Sequence, residues 1–172
     1  MGQPLGRFSQ IDGLKFAETA GSLRSTCRVA DFPRLQDLLT SNAGELEYQV
    51  LGASDEMGRP ALSIAIAGEL QLTCQRCLQP MGFPLQVKEM LVLARSESEI
   101  DSQPVDPEVP DRVLAGKDMD VGTLLEDEIL LAIPFAPRHE HCLAADAERG
   151  AAKPSPFADL RGLLNRGGRA RN

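Results

Sequence analysis

Two short runs hold most of the reactive side chains in this sequence: CQRC at 74–77 and HEHC at 139–142. Three of the four cysteines and both histidines fall inside them. Two thiols two residues apart can chelate one ion from a single tight turn, and a second half-site can complete the tetrahedral shell that structural zinc prefers. Cys74, Cys77, His139 and Cys142 are the candidate ligands, and Zn2+ is the expected cofactor. His141 is the alternative to His139. It adjoins Cys142, and neighbouring side chains of an extended segment point apart, so His139, approached through Pro137-Arg138, is favoured.

Two other uses of these residues compete with a metal. One is free thiols packed near each other. The other is a thiol–disulfide oxidoreductase using CQRC, which needs an exposed, acidic thiol, usually at a helix N-terminus. Here CQRC follows a strand-like run and precedes Pro80 and Gly82, the wrong setting for that chemistry, although Arg76 is a cation able to acidify a thiol. Cys27 stands alone and reads as a small buried hydrophobe.

Glu89 and Glu128 each interrupt an apolar face. Paired carboxylates can do acid–base work, yet no nucleophile, glycine loop or orienting histidine accompanies them. A structural pairing of Glu128 with Arg76 or Arg95 is the expectation, and no catalytic residue is assigned. The last twelve residues carry Arg161, Arg166, Arg169 and Arg171 and no acid, a candidate contact for RNA phosphates. From Glu97 to Glu128 there are eleven acids against Arg112 and Lys117, a stretch better suited to basic proteins than to RNA.

The elements that must position these groups are legible from periodicity. Leu62, Ile64, Ile66, Leu70, Leu72 and Cys74 share even parity across 61–74, so a long strand is expected, with a bulge or bend at Gly68. Phe83, Leu85, Val87, Leu91 and Leu93 share odd parity, giving an antiparallel hairpin with CQRC near its turn. Weaker strands are read around 23–29 and 46–50. A short helix capped by Asp31 is expected to put Leu35, Leu38 and Leu39 on one face. Asp120 caps the best helix, Val121 to Ile133, stopped by Pro134. Its apolar arc includes Leu131 and encloses Glu128 but leaves Glu126 outside. Residues 96–111 read as an acidic, proline-broken flexible loop, followed by a short extended piece at Arg112–Ala115 and a turn at Gly116–Asp118. A linker, a short helix near 157–164 and the basic tail fill 143–172.

These pieces imply a single α+β domain over 1–142, a small antiparallel sheet packed against a few helices with a CxxC knuckle at a hairpin turn. At 172 residues with no Trp and one Tyr, the core must be aliphatic. A net charge of −7 argues against nucleic-acid binding through the overall field. No apolar run is long enough to span a bilayer. The N-terminal MGQPLGRFSQ lacks a signal-type segment, so a reducing cytoplasm is the expected location.

Together DFPRL at 31–35, LTCQRCLQP at 72–80, VGTLLEDEILLAIPFAPRHEHC at 121–142 and KPSPFADLRGL at 153–163 resemble the YceD family, the large ribosomal RNA subunit accumulation proteins. The resemblance covers most of the chain. It implies a non-enzymatic ribosome biogenesis factor that supports synthesis, processing or stability of large-subunit ribosomal RNA. Its partners would be that RNA or pre-ribosomal particles, reached in part through basic ribosomal proteins. It also implies that the family's cysteine pattern falls on Cys74, Cys77 and Cys142, with a cysteine in some members where His139 stands.

Overall fold

The computed structural model describes residues 8–102 and 110–141. Cys142 and the arginines at 161, 166, 169 and 171 therefore lie outside the described residues, as do the expected linker and terminal helix. Met1–His139 clusters as one compact unit.

The even-parity run forms one uninterrupted strand, β5 (Pro60–Thr73), and the odd-parity run forms β6 (Pro80–Ala94). They pair antiparallel from Ala61↔Val92 to Thr73↔Pro80, so CQRC occupies the connection as expected. On its other edge β5 pairs with β4 (Glu45–Ser54), and β4 pairs with β2 (Ser22–Arg28), both antiparallel. The short strand β3 (Leu39–Ser41) takes over beside β5 at Leu72 and Gln71. Beyond β6 lies β7 (Arg112–Leu114), which runs parallel to it. A separate two-residue pair joins β1 (Gln10–Ile11) to β8 (Met119–Asp120).

The expectation of a small sheet packed against several helices is overturned. The main sheet has six strands, two of them 14 and 15 residues long. Among the described residues only α3 (Val121–Ala132) exceeds two turns, since α1 (Gly13–Glu18) and α2 (Glu97–Asp101) have six and five residues. The architecture is strand-rich, with one helix laid on a large sheet. Period two was readable in the long strands. The short extended piece expected at Arg112–Ala115 is β7, whereas the strand at 39–41 is too short to show a period.

Gly68 does not mark a bulge. It sits in register between Leu46 and Leu85. A Cβ there would lie 2.5 Å from Leu46 Cδ2 and 3.0 Å from Glu45 O, so glycine lets neighbouring strands close over the core. Leu62, Ile64, Ile66, Leu70 and Leu72 of β5 are all at most 3% exposed, and they meet Leu46, Val50, Leu85, Leu125 and Ile129 in one aliphatic cluster.

The chain at 33–38 forms a 3-10 helix rather than an α-helix, with Phe32 at its N-cap. Leu35 is buried but Leu38 is exposed, so the expected one-faced leucine set does not hold. Asp31 caps the preceding turn instead, where its carboxylate accepts from Arg28 N. The acidic segment expected to be loop from residue 96 begins with α2, held to β7 by the Arg112 guanidinium donating to Glu99 O at 2.6 Å. Helix α3 starts as expected, with Thr123 N donating to Asp120 Oδ2 at 2.8 Å.

Two features of α3 depart from its apolar arc. Leu131 is exposed, and Glu126 is buried. Glu126 takes the backbone N–H of Arg34 at 2.6 Å and its Nε at 2.7 Å, while Asp127 takes Nη1 at 2.7 Å. Glu128 is buried too, but neither Arg76 nor Arg95 neutralises it: Arg95 reaches Glu18 instead. Burial pushes the Glu128 carboxyl above its usual range, and the negative charges of Glu89, Asp111 and Asp127 push it the same way.

A group with a raised folded-state carboxyl pKa supports the fold below the unfolded value of 4.5 and loses that support as pH rises through the folded value. Glu128→Gln is therefore expected to raise the melting temperature at pH 7, with the gain shrinking towards zero below about pH 4.5. A variant less stable than the parent at pH 7, followed by circular dichroism, would refute this.

Candidate metal centre

The β5–β6 hairpin turn is built by the CQRC residues themselves. Cys74 N donates to Gln79 O at 3.0 Å, and Leu78 N donates to Cys74 O at 2.9 Å. Strand parity carries Cys74 inward, where it is fully buried, while Cys77 stays half-buried. The loop closes through Leu78 at φ 60°, a left-handed conformation that costs an ordinary residue energy and favours glycine or asparagine.

The second half of the site arrives from α3. Pro134 ends the helix and the chain runs out as PFAPRH. Pro137 is buried, and its carbonyl accepts Gln75 N at 2.8 Å, which ties this segment to the hairpin turn. His139 then lies with Nδ1 3.5 Å from Cys77 Sγ and Nε2 3.2 Å from Pro80 O. A carbonyl only accepts, so it suits an N–H at Nε2, the tautomer that leaves the Nδ1 lone pair facing Cys77 Sγ. Holding one imidazole nitrogen by a carbonyl while the other faces the metal is the usual support for a ligating histidine.

The Sγ atoms of Cys74 and Cys77 and a ring nitrogen of His139 all lie within 4.8 Å of one another. Ligands at about 2.3 Å from a tetrahedral zinc are separated by roughly 3.8 Å, so the three need only small adjustments to share one ion. The Cys74 thiol is lowered to about 5, first by the backbone N–H of Cys77 and then by those of Arg76 and His139, which offset the opposing effect of burial. The N–H of Arg76 lies 3.5 Å from Cys74 Sγ. Amides aimed at a sulfur stabilise a thiolate, the form a metal binds. Cys27 behaves oppositely: burial, then Asp31 and Glu45, push its thiol up to about 11, as suits a packed hydrophobe.

Three of the four candidate ligands are thus brought together, and His139 has the geometry favoured over His141. Cys142 lies outside the described residues. The Pro80 and Pro137 carbonyls, which orient the site, were missed from sequence, because backbone groups leave no residue signature. The Arg34–Glu126 pair was also missed, since its partners are 92 residues apart.

No described helix is long and apolar enough to cross a membrane. No solved structure matches the chain. A family model described as the large ribosomal RNA subunit accumulation protein YceD matches residues 62–164. This match begins inside β5 and takes in CQRC, α3 and HEHC, while DFPRL falls before it. Covering more than half of the 172 residues, it shows that the chain belongs to the YceD family.

Proposed function

We propose that this protein is a cytoplasmic ribosome biogenesis factor that supports synthesis, processing or stability of large-subunit ribosomal RNA by binding, without catalysing a reaction. The family match over residues 62–164 carries this reading. In it, Cys74, Cys77 and His139 hold a structural Zn2+ with Cys142 as fourth ligand. The donor set fits: two thiolate-forming sulfurs and an imidazole nitrogen within 4.8 Å suit zinc better than a hard, oxygen-seeking cation. The ion would cross-link the hairpin turn to the segment after α3. The acidic stretch 97–128 would meet basic ribosomal proteins. Arg161, Arg166, Arg169 and Arg171 would contact RNA phosphates in a salt-dependent way.

The lowered Cys74 thiol also favours the second reading, a thiol–disulfide oxidoreductase. Burial opposes it, because the acidified sulfur is the inaccessible one and attack on a disulfide needs an exposed thiolate. Sedimentation of cell extracts tests the main reading. The protein is expected to migrate with large-subunit precursors, and cells lacking it to hold less large-subunit RNA. Migration only at the top of the gradient, with RNA levels unchanged, would reject it.

A further inference from the structure

We infer that the tip of the β5–β6 hairpin is a docking surface for single-stranded RNA, with Phe135 stacking on a base and Arg76 and Arg138 taking neighbouring phosphates. This deepens the proposed function and rests on it.

Phe135 is the most exposed large apolar residue described, at 104%, and Leu78 is 70% exposed. A fully exposed aromatic ring offers a face on which an unpaired base can stack. Its position is also held. Phe135 lies between the end of α3 at Ala132 and the buried Pro137, whose carbonyl is bonded to Gln75 in the hairpin turn. Two residues of chain span at most about 7 Å, so the Phe135 backbone is held near the turn that carries Arg76 and Leu78.

Charge identifies the occupant. In a chain of net charge −7, neither segment that builds the tip, 70–88 or 129–139, contains an Asp or Glu. Arg76 and Arg138 are exposed, and among the described residues neither side chain forms an ion pair or hydrogen bond. Two exposed guanidinium groups without an ion pair among the described residues, on the segments that carry the exposed ring, match an unpaired base with neighbouring phosphates, the usual way proteins grip single strands. An apolar protein partner would leave both cations without counter-charge. The conformation of Leu78 agrees: a bulky, exposed side chain is kept where glycine would relieve strain.

The test uses the zinc-loaded full chain and fluorescence anisotropy with short unpaired segments of large-subunit ribosomal RNA. Phe135→Ala is expected to weaken binding by about 5- to 140-fold, and Phe135→Trp to preserve it. The double change Arg76→Gln, Arg138→Gln is expected to reduce the slope of log K against log salt by about 1.4. Leu78→Gly is expected to weaken binding without lowering the melting temperature. All four variants alter exposed side chains, and thermal melts confirm that they fold.

If the parent binds RNA and Phe135→Ala binds it equally, the tip assignment falls while the proposed function stands. If the parent binds no RNA yet Phe135→Ala no longer sediments with large-subunit precursors, the surface meets a protein and the inference is overturned. If the parent neither binds RNA nor sediments with precursors, the proposed function fails with it.

Discussion

Replacing Cys74 by serine is expected to lower Zn2+ affinity more than a hundredfold. Changes to groups that merely support a ligand already cost about 10–100-fold, and this one removes a ligand. The thermal consequence follows by mass action. Free zinc at a hundred times its dissociation constant stabilises the fold by about 2.7 kcal/mol, which a protein of this size registers as roughly 5–10 °C. The variant forfeits that increment, and Cys77→Ser and His139→Ala are expected to do the same. Cys27→Ser is the control, since its thiol sits far from the others in the sheet and is held protonated by burial. The long sheet should keep the zinc-free protein folded, so a chelator shifts the melt rather than abolishing it. Elemental analysis, chelator competition and calorimetry read these quantities. Equal zinc content and equal melting temperature in Cys74→Ser and the parent would end the metal reading.

Glu126→Ala is expected to destabilise the fold by about 2–4 kcal/mol, or roughly 5–15 °C. Two losses combine. The backbone N–H of Arg34 loses its acceptor, costing about 1–3 kcal/mol where the group is shielded from water. The Arg34 guanidinium loses its carboxylate at 2.7 Å, a smaller loss because that side chain is 46% exposed and water can replace part of it. Arg34→Ala keeps the backbone bond, and in a double-mutant cycle the pair is expected to couple by at least 1 kcal/mol. A Glu126→Ala variant melting within 2 °C of the parent would show that the clamp between the 3-10 helix and α3 is not structural.

What could be read from sequence, and what could not, divides along the range of the interactions. Parity alone put Cys74 on the buried face of its strand and CQRC at the hairpin end. Asp120 announced the start of α3, because capping is decided within three residues. His139 was preferred to His141 on the expected alternation of an extended chain, and its ring stands against Cys77, although the chain turns at 140–141. The failures lie where distant partners decide. Gly68 looked like a break, yet it admits Leu46 from the next strand. Glu126 looked wet on a helical wheel, yet Arg34 draws it inside. The few-helix, many-stranded architecture was hidden because strands of two or three residues carry no period and depend on an edge supplied elsewhere.

The contact between Cys77 and His139 spans 62 positions of the polypeptide. With an ion joining them, this region becomes a closed ring. A tether of that length removes denatured conformations worth about 4 kcal/mol at 25 °C, by the loop-entropy relation used for disulfides. The ring acts on the disordered ensemble and leaves the hairpin's own pairing untouched. Susceptibility to proteases, more than the shape of the sheet, is then the property that should follow zinc supply.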